Sequence, residues 1–391
     1  MHPVERYDIA VIGLGGIGSA TAWFAARNGQ SVVGLERFDL GGHQHGASHD
    51  HSRIIRHSYH TPHYVDLTRL AYDAWREVEA ESGETCVHVT GGIDLFPTGA
   101  AIDSETYRES MRACGVEFDE MKSVDVMERW PAWHIAADTE VLYQANTGIV
   151  SPAATVPLMQ RLASGCGAVL RGNTPVIAIE PTGADVTVHL ANGEEVVAGQ
   201  VVVAADAWTG PLIESLGTSL PLVVTREQVT YYGTETALMF ESANFPVWIW
   251  MDDPSFYGFP TFGRPGVKIA QDCGGAPVDP DTRGFDPDPS ILARTDAFAA
   301  MAFEGILGPA LSTTTCLYTL PPDRDFVVDA LPGHPNIHVA LGAGHGYKFV
   351  AWFGKTLAAL ASGRDPDCDL SPFALDRPAL TDPDWEANWL V

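Results

Sequence analysis

Basic side chains are scarce in this sequence: 23 lysines and arginines stand against 50 aspartates and glutamates, a formal net charge of −27 at pH 7. Such an acidic surface repels phosphate backbones and anionic lipids, so we expect no nucleic-acid or membrane partner. No apolar run approaches the roughly 20 residues that a membrane-spanning helix needs. A strand-like run is already under way at Asp8, which leaves no room for a signal peptide and predicts a cytoplasmic protein.

Cysteine is also rare. The six cysteines form no CxxC pair and no regular framework, which excludes a disulfide scaffold and predicts a reduced protein. Cys316 is the one that needs an explanation, because it lies in TTTCLYT (313–319), a run that otherwise reads as a strand. It is either a small apolar side chain in a core or a covalent attachment point.

What the chain does contain is typical of a globular protein. It has 391 residues, 46% of them hydrophobic and 19% charged, which suits two domains. Strand-like and helical patterns alternate: a helix from His63 to about Ser82, a strand in VTGGIDLF (89–96), a helix starting near Ser151, and a hairpin over 186–203 that turns at Asn192–Gly193.

The N-terminal pattern is the strongest local signal. YDIAVI (7–12) reads as a buried parallel strand, GLGGIGSATAWFAARNG as a glycine-rich turn and helix, and SVVGLE as a second strand that ends at Glu36. Gly13, Gly15 and Gly18 spell GxGxxG, and Glu36 stands where a carboxylate can bind an adenosine ribose. This βαβ unit predicts a dinucleotide site, but it does not separate NAD from FAD.

A concentration of cationic groups lies at residues 43–63. If the segment is helical, Arg53 and Arg56 project from one face, and such a pair suits bidentate binding of a small carboxylate. The alternative is a pair of solvated arginines. Seven histidines fall in the same stretch, but their spacing gives no compact ligand set, so we predict no metal site and surface positions for most of them.

A wider resemblance identifies the cofactor. The N-terminal βαβ unit and five further segments resemble, in the same order, the monomeric sarcosine oxidase and N-methyltryptophan oxidase family of D-amino-acid-oxidase-like flavoenzymes. The five segments are ASHDHSRIIRHSY (47–59), DAWTGPLIESLG (206–217), FYGFPTFGRPGVKI (256–269), TTCLYTLPPDRDFVVD (314–329) and GAGHGYKF (342–349).

The resemblance implies a mixed α/β and α+β architecture. It consists of a Rossmann-type FAD-binding domain (1–86, 150–221 and 324–391) and a discontinuous substrate domain on a mixed or antiparallel sheet (87–149 and 222–323). A monomer is expected.

The resemblance also implies roles for individual residues. Cys316 would carry FAD through a thioether to its 8α-methyl group. Arg56 and Lys348 would bind the substrate carboxylate, with Tyr257, Tyr318 and Asp272 beside it. The other implied cofactor contacts are Gly13, Gly15, Gly16, Ile17, Gly18, Glu36, Arg37, Ser48, His49, Ser52, Arg53, Val176, Trp208, Gly342, Gly344, His345, Gly346 and Lys348.

Lys268, Arg53 and His49 are the catalytic candidates. A lysine in a strand is ordinarily an edge residue that faces water. In the resembling family the matching lysine lies over the flavin and assists its reaction with O₂, where a fixed positive charge stabilises the developing superoxide. Arg53 and His49 would lie beside the flavin ring.

Three departures from the family pattern make sarcosine itself an uncertain substrate. Asp272 replaces a histidine near the substrate amine, Asp206 replaces a customary glycine, and the loop GAGHGYKF is one residue short. The sequence therefore predicts an FAD-dependent oxidase of a small secondary amino acid that produces hydrogen peroxide. The alternatives are a dehydrogenase that uses another electron acceptor and a non-catalytic flavin or nucleotide sensor.

Overall fold

A computed structural model of the chain describes residues 5–303 and 305–390. The described residues form helices and strands that we number in chain order. The helices are α1 Gly16–Arg27, α2 Pro62–Ser82, α3 Ser104–Ala113, α4 Ser123–Arg129, α5 Pro152–Gly165, α6 Thr209–Glu214, α7 Pro289–Phe303, α8 Val350–Leu360 and α9 Pro378–Thr381. The strands are β1 Glu5–Ile12, β2 Val32–Leu35, β3 Arg53–Ile55, β4 Val87–Val89, β5 Gly92–Phe96, β6 Asp119–Met121, β7 Glu140–Gln144, β8 Gly148–Val150, β9 Val169–Arg171, β10 Val176–Thr182, β11 Asp185–Leu190, β12 Glu195–Val203, β13 Val223–Thr234, β14 Val247–Trp250, β15 Phe256–Phe259, β16 Val267–Gln271, β17 Ala276–Pro277, β18 Leu307–Leu320, β19 Val327–Leu331 and β20 His334–Leu341.

The N-terminal βαβ unit begins an eight-stranded sheet, as the sequence predicts. Strands β9, β2, β1, β12 and β20 run parallel to one another in that order. Alternate side chains of β1 enter two different cores: Ile9 and Val11 pack under the helices, whereas Ala10 and Ile12 pack on the opposite face. Burial on both faces is why this strand reads as continuously apolar.

The hairpin predicted at 186–203 is confirmed. Strands β11 and β12 pair antiparallel, and Gly193 in the turn has a φ of +86°. Strand β12 is long enough to contact β11 with its first half and β20 with its second, while β1 runs along its other edge.

A second, nine-stranded mixed sheet follows the order β17, β13, β16, β15, β14, β5, β7, β6, and β18 pairs with β13. Its core is strongly aromatic and includes Trp133, Trp248, Phe298 and Phe303. Cys316 and Tyr318 belong to β18, Lys268 to β16 and Tyr257 to β15, so this sheet holds four of the predicted site residues. The two sheets fit the predicted fold class, while the domain boundaries stay a prediction.

The segment that contains Arg53 and Arg56 is not helical, and that prediction was wrong. Residues 53–55 form β3, which pairs antiparallel with β8 in a small three-stranded sheet. Adjacent β-branched Ile54 and Ile55 favour an extended backbone, and a partner strand almost 100 residues away completes it. Of the seven nearby histidines, His49 is buried and the other six are half-buried.

Helix α2 begins close to the predicted position. Thr61 caps it by accepting the backbone N–H of Tyr64, and Pro62 occupies its first position. Helix α5 likewise follows Ser151, with Pro152 in the first turn. None of the helices in the described ranges is long and apolar enough to cross a membrane.

Helix α8 packs closely on α1, and this contact holds the glycine-rich turn against the core. A Cβ atom at Gly354 in α8 would lie 2.4 Å from Ala20 Cβ, so only glycine allows this approach. A Cβ atom at Gly165, at the end of α5, would instead have open space around it.

We therefore expect opposite effects from two glycine substitutions in helices. Gly354→Ala should lower the free energy of unfolding by about 1–3 kcal/mol, because the extra methyl group overpacks the α1–α8 contact. Gly165→Ala should leave stability unchanged or raise it by up to about 1 kcal/mol, because alanine is the better helix former. Urea unfolding followed by circular dichroism measures both, and an equal response of the two variants would contradict the packing argument.

Candidate active site

A cavity of about 390 Å³ begins at the carboxyl ends of β1 and β2 and reaches the inner face of the second sheet. This is where open α/β sheets bind ligands. The cavity brings together most of the residues that the sequence predicts. Those that line it are Gly13, Gly15, Gly16, Ile17, Glu36, Arg37, Ser48, Arg53, Arg56, Val176, Trp208, Tyr257, Asp272, Tyr318, Gly342, Gly344, His345, Gly346 and Lys348.

The remaining predicted residues lie behind the lining. They are Gly18, His49, Ser52, Lys268 and Cys316, of which the last four are buried side chains. Lys268 is fully buried, so the alternative of a water-facing strand residue is excluded.

The glycine-rich turn leaves its backbone open to the cavity. Gly13 has a φ of +88°, and a Cβ there would lie 2.5 Å from the carbonyl oxygen of Ala204. A Cβ at Gly18 would lie 1.8 Å from the carbonyl oxygen of Gly13, so the helix could not sit this close to the strand. The N-terminus of α1 lines the cavity with glycine backbone, and Ser48 Oγ accepts the N–H of Gly16 there, an arrangement that suits a pyrophosphate.

Glu36 lies at the end of β2 and is 5% exposed. Its carboxylate accepts the backbone N–H groups of Leu14 (2.8 Å) and Phe38 (3.0 Å) and contacts His43 Nε2 at 3.2 Å. Burial alone would raise the pKa of Glu36, but these hydrogen bonds hold it below its ordinary value, so the group stays ionised.

An aromatic and cationic cluster closes the same end of the cavity. The Arg37 guanidinium stacks 5.3 Å from the centre of the Trp208 ring and pairs with Asp281 at 2.8 Å. Trp208 Nε1 also donates to Asp281 (2.7 Å), and Phe38 packs edge-on against Trp208. Phe38 and Asp281 escaped the sequence analysis because neither belongs to the glycine motif.

Cys316 lies on β18 directly opposite Glu227 of β13. Burial raises the pKa of its thiol to about 11, while the nearby charge of Arg53 acts in the other direction. His49 is buried close to the same arginine. Burial, and then Arg53, lowers the pKa of His49 to about 3, so its imidazole is neutral at physiological pH.

Lys268 and Asp50 form a buried ion pair with an Nζ–Oδ2 distance of 2.7 Å. Lys268 Nζ also donates to the carbonyl oxygen of Ser52 (2.9 Å) and lies 4.7 Å from the centre of the Phe259 ring. Asp50 additionally accepts the Tyr231 hydroxyl. Burial lowers the pKa of Lys268 to about 8, and Asp50 opposes a larger shift.

Arg56 and Lys348 approach the cavity from different parts of the chain. Arg56 donates to Asp94 of β5 at 3.0 Å, and its Nε has no hydrogen-bond partner among the described residues. Lys348 Nζ donates to the Tyr59 hydroxyl and to the carbonyl oxygen of His345, both at 2.9 Å. No carboxylate pairs with Lys348 in the described ranges, and burial lowers its pKa well below the ordinary value.

Asp272 does not have a free carboxylate. Its Oδ2 and Oδ1 accept Nη1 and Nη2 of Arg324 at 2.8 and 2.9 Å, an end-on bidentate pair. Arg324 is 2% exposed, has a φ of +58°, and also donates to the carbonyl oxygen of Trp389 (2.6 Å). We call Arg53, Arg56, Arg324 and Lys348 the cationic end of the cavity.

The arrangement fits FAD. The open α1 N-terminus and ionised Glu36 suit the pyrophosphate and ribose, and the Arg37–Trp208 cluster adds an aromatic surface. The cavity then continues to the cationic end, where buried Arg56 Nε and Arg324 Nε have unmet donors among the described residues. The donors therefore suit a flavin dinucleotide with an anionic molecule beyond it.

Comparison with known proteins agrees with this geometry. Residues 8–360 match the family described as FAD dependent oxidoreductase, and the chain belongs to this family. Within it, the chain is 31% identical over 381 residues to monomeric sarcosine oxidase from Bacillus sp. (strain NS-129), covering 96% of this chain and 98% of the relative. It is also 28% identical to N-methyl-L-tryptophan oxidase from Citrobacter koseri, covering 95% and 99% of the two chains.

A solved structure is also similar to this chain in its fold. NikD, an amino acid oxidase essential for nikkomycin biosynthesis, superposes with a TM-score of 0.84 at 26% identity and covers 95% of this chain and 98% of its own. The protein is therefore an FAD-dependent oxidoreductase of the flavin amine oxidase class, related to sarcosine oxidase and N-methyltryptophan oxidase.

The described residues contain no group of three or more potential metal ligands. That the protein has no metal site is still only a prediction from the sequence.

Proposed function

We propose that the protein oxidises a small secondary amino acid, either an N-methyl amino acid or a cyclic imino acid, to the corresponding imine. The observation that carries this proposal is one continuous cavity that joins a dinucleotide cradle to a buried cationic end. The relatives named for sarcosine and N-methyltryptophan oxidation support it. A monomer in the cytoplasm is part of the proposal, and six free cysteines suit a reducing compartment.

The bound FAD would accept a hydride from a carbon attached to the substrate nitrogen and then pass both electrons to O₂, which yields hydrogen peroxide. Arg56 and Lys348 would hold the substrate carboxylate by charge-assisted hydrogen bonds, because Lys348 lacks a carboxylate partner and Arg56 retains an unmet donor. Tyr257 and Tyr318 would form the walls beside the substrate.

Residues in and behind the cavity lining would serve the cofactor. Cys316 Sγ would hold FAD through a thioether to its 8α carbon, for which the S–H and one 8α C–H bond are lost and the two electrons pass through the flavin to O₂. Lys268 would stabilise the negative charge that develops on O₂. Arg53 and neutral His49 would lie at the edge of the flavin. Ser48 accepts the backbone N–H of Gly16 and would fix the turn that holds the pyrophosphate.

Anaerobic flavin bleaching tests the proposed reaction directly. Purified protein is mixed without O₂ with sarcosine, other N-methyl amino acids, proline and pipecolate, and we expect the yellow absorbance to fall with at least one of them. An unchanged spectrum with every secondary amine would overturn the proposed function and favour a flavin sensor. Oxygen-electrode traces then separate an oxidase from a dehydrogenase, which would consume little O₂.

Removal of the Cys316 thiol should release the cofactor on acid precipitation. Wild-type protein should give a yellow pellet, whereas Cys316→Ala should leave the colour in the supernatant because no covalent bond retains it. Cys166→Ala is the matched control, since Cys166 is exposed and should not change the result. A colourless pellet from the wild type would show that the thioether is absent.

Reaction of the reduced protein with O₂ should depend on the charge of Lys268. Lys268 is cationic below its pKa of about 8, so the reoxidation rate should be constant at low pH and fall as pH rises through about 8. Asp50→Asn removes a charge that raises this pKa, and it should move the fall to lower pH. Stopped-flow reoxidation measures both effects.

Loss of the lysine itself should remove that pH dependence. Lys268→Met should slow reoxidation by about 10²–10³-fold, a typical effect of deleting one charge-stabilising donor. Lys355→Met is the control, because Lys355 forms its ion pairs with Glu77 and Asp367 on the surface. A Lys268→Met variant that reoxidises at the wild-type rate would refute the assignment.

A further inference from the structure

Arg324 lines the cavity, and one edge of its guanidinium is unused by the described residues. Asp272 occupies the end of the guanidinium formed by Nη1 and Nη2, and the Trp389 carbonyl oxygen takes a second hydrogen of Nη1. Arginine carries five N–H donors, so Nε–H and one hydrogen of Nη2 remain. These two N–H groups lie in the guanidinium plane along the same edge and form a second fork, and Nε has no partner among the described residues.

The unused edge of Arg324 belongs to a buried side chain, where a donor without an acceptor is costly. The residue is 2% exposed and lines the same cavity as Arg56 and Lys348. A buried donor without an acceptor costs free energy, so such an edge is typical of a site that a ligand completes. A side-on arginine edge matches the two oxygens of a carboxylate.

A chain of hydrogen bonds fixes Arg324 relative to Lys348. His345 Nε2 lies 3.0 Å from the Arg324 carbonyl oxygen, which can only accept, so Nε2 carries the proton. Burial, and then Lys348, lowers the pKa of His345 well below its usual value, so the ring is neutral and Nδ1 accepts the Tyr59 hydroxyl. Tyr59 in turn accepts from Lys348 Nζ. The two cations therefore belong to one connected framework.

The charges around this end of the cavity show a surplus of basic groups. Five basic side chains in the described ranges meet four acidic ones here. The basic side chains are Arg53, Arg56, Lys268, Arg324 and Lys348, and the acidic ones are Asp50, Asp94, Asp272 and Glu227, which lies near Asp272 and Arg324. A surplus of cations in a chain with a net charge of −27 indicates an anionic ligand.

We propose that the substrate is a secondary amine with two carboxylate groups, and that Arg324 binds the second one through Nε and Nη2. This inference rests on the proposed function, in which Arg56 and Lys348 hold the first carboxylate. Asp272 is then a positioning residue: it holds the end of the guanidinium and turns its free edge toward the cavity. Both oxygens of Asp272 bond to Arg324 in this arrangement.

Redox-inert thioethers test this binding site without turnover. The holoenzyme is titrated with thiodiacetate, with 3-(carboxymethylthio)propanoate, and with the monoamide of thiodiacetate, and the flavin absorbance reports the dissociation constant. At least one dicarboxylate should bind 10-fold or more tightly than the monoamide, which has similar size and one charge fewer. If neither dicarboxylate exceeds the monoamide by twofold, the proposal is overturned.

Two variants assign the preference to Arg324. Arg324→Lys keeps the charge but loses the planar fork, and Asp272→Asn combined with Arg324→Gln removes both charges without leaving either unpaired. Each should reduce the 10-fold preference to about twofold or less. Arg364→Gln, an exposed arginine, should retain it. A preference that survives in both pocket variants would show that another group binds the second carboxylate.

Turnover separates this inference from the proposed function. Anaerobic bleaching by iminodiacetate and by N-methylaspartate is compared with bleaching by sarcosine and by N-methylalanine. If only the monocarboxylates bleach the flavin, the amine oxidase stands and the dicarboxylate inference fails. If no amine bleaches it but the thioether preference depends on Arg324, the second carboxylate site stands and the proposed reaction fails.

Discussion

The burial of several charged side chains around one cavity is the constraint on which the rest of the site depends. An unpaired charge in a protein interior is costly, and each of Lys268, Arg56 and Arg324 is buried with a carboxylate from a distant part of the chain. These ion pairs join the small three-stranded sheet, the second sheet and the loop before β19. The same contacts that neutralise the charges therefore also position the elements around the cavity.

Local sequence was sufficient for features that local chemistry decides. The βαβ unit, helices α2 and α5, and the hairpin at Asn192–Gly193 all follow from hydrophobic period, capping and turn residues. The segment at Arg53 was not predictable in this way. The spacing of Arg53 and Arg56 fitted a helix, but the adjacent isoleucines and the pairing with β8 stabilise a strand. Long-range pairing overrides a short periodic pattern of four residues.

The site was predictable only as far as motifs extend. Resemblance pointed to Arg56, Lys348, Asp272 and fewer than half of the residues that line the cavity, and it gave no partner for any of them. Asp94 and Arg324 lie 38 and 52 residues from the groups that they bind, and no spacing rule connects them. Asp272 looked like a free carboxylate in the sequence because the guanidinium that occupies it could be identified only in three dimensions.

The carbonyl oxygen of Trp389 accepts from Arg324, and the Trp389 indole donates to the carbonyl oxygen of Pro321. The backbone N–H of Asn388 adds a contact to Pro322. The stretch around residues 388–390 thus helps to hold the Arg324 guanidinium at the cavity, although 65 residues separate Trp389 from Arg324 in sequence. A fusion partner or a proteolytic cut placed there would alter which molecules the pocket accepts, while the cofactor cradle on the opposite side would keep its shape.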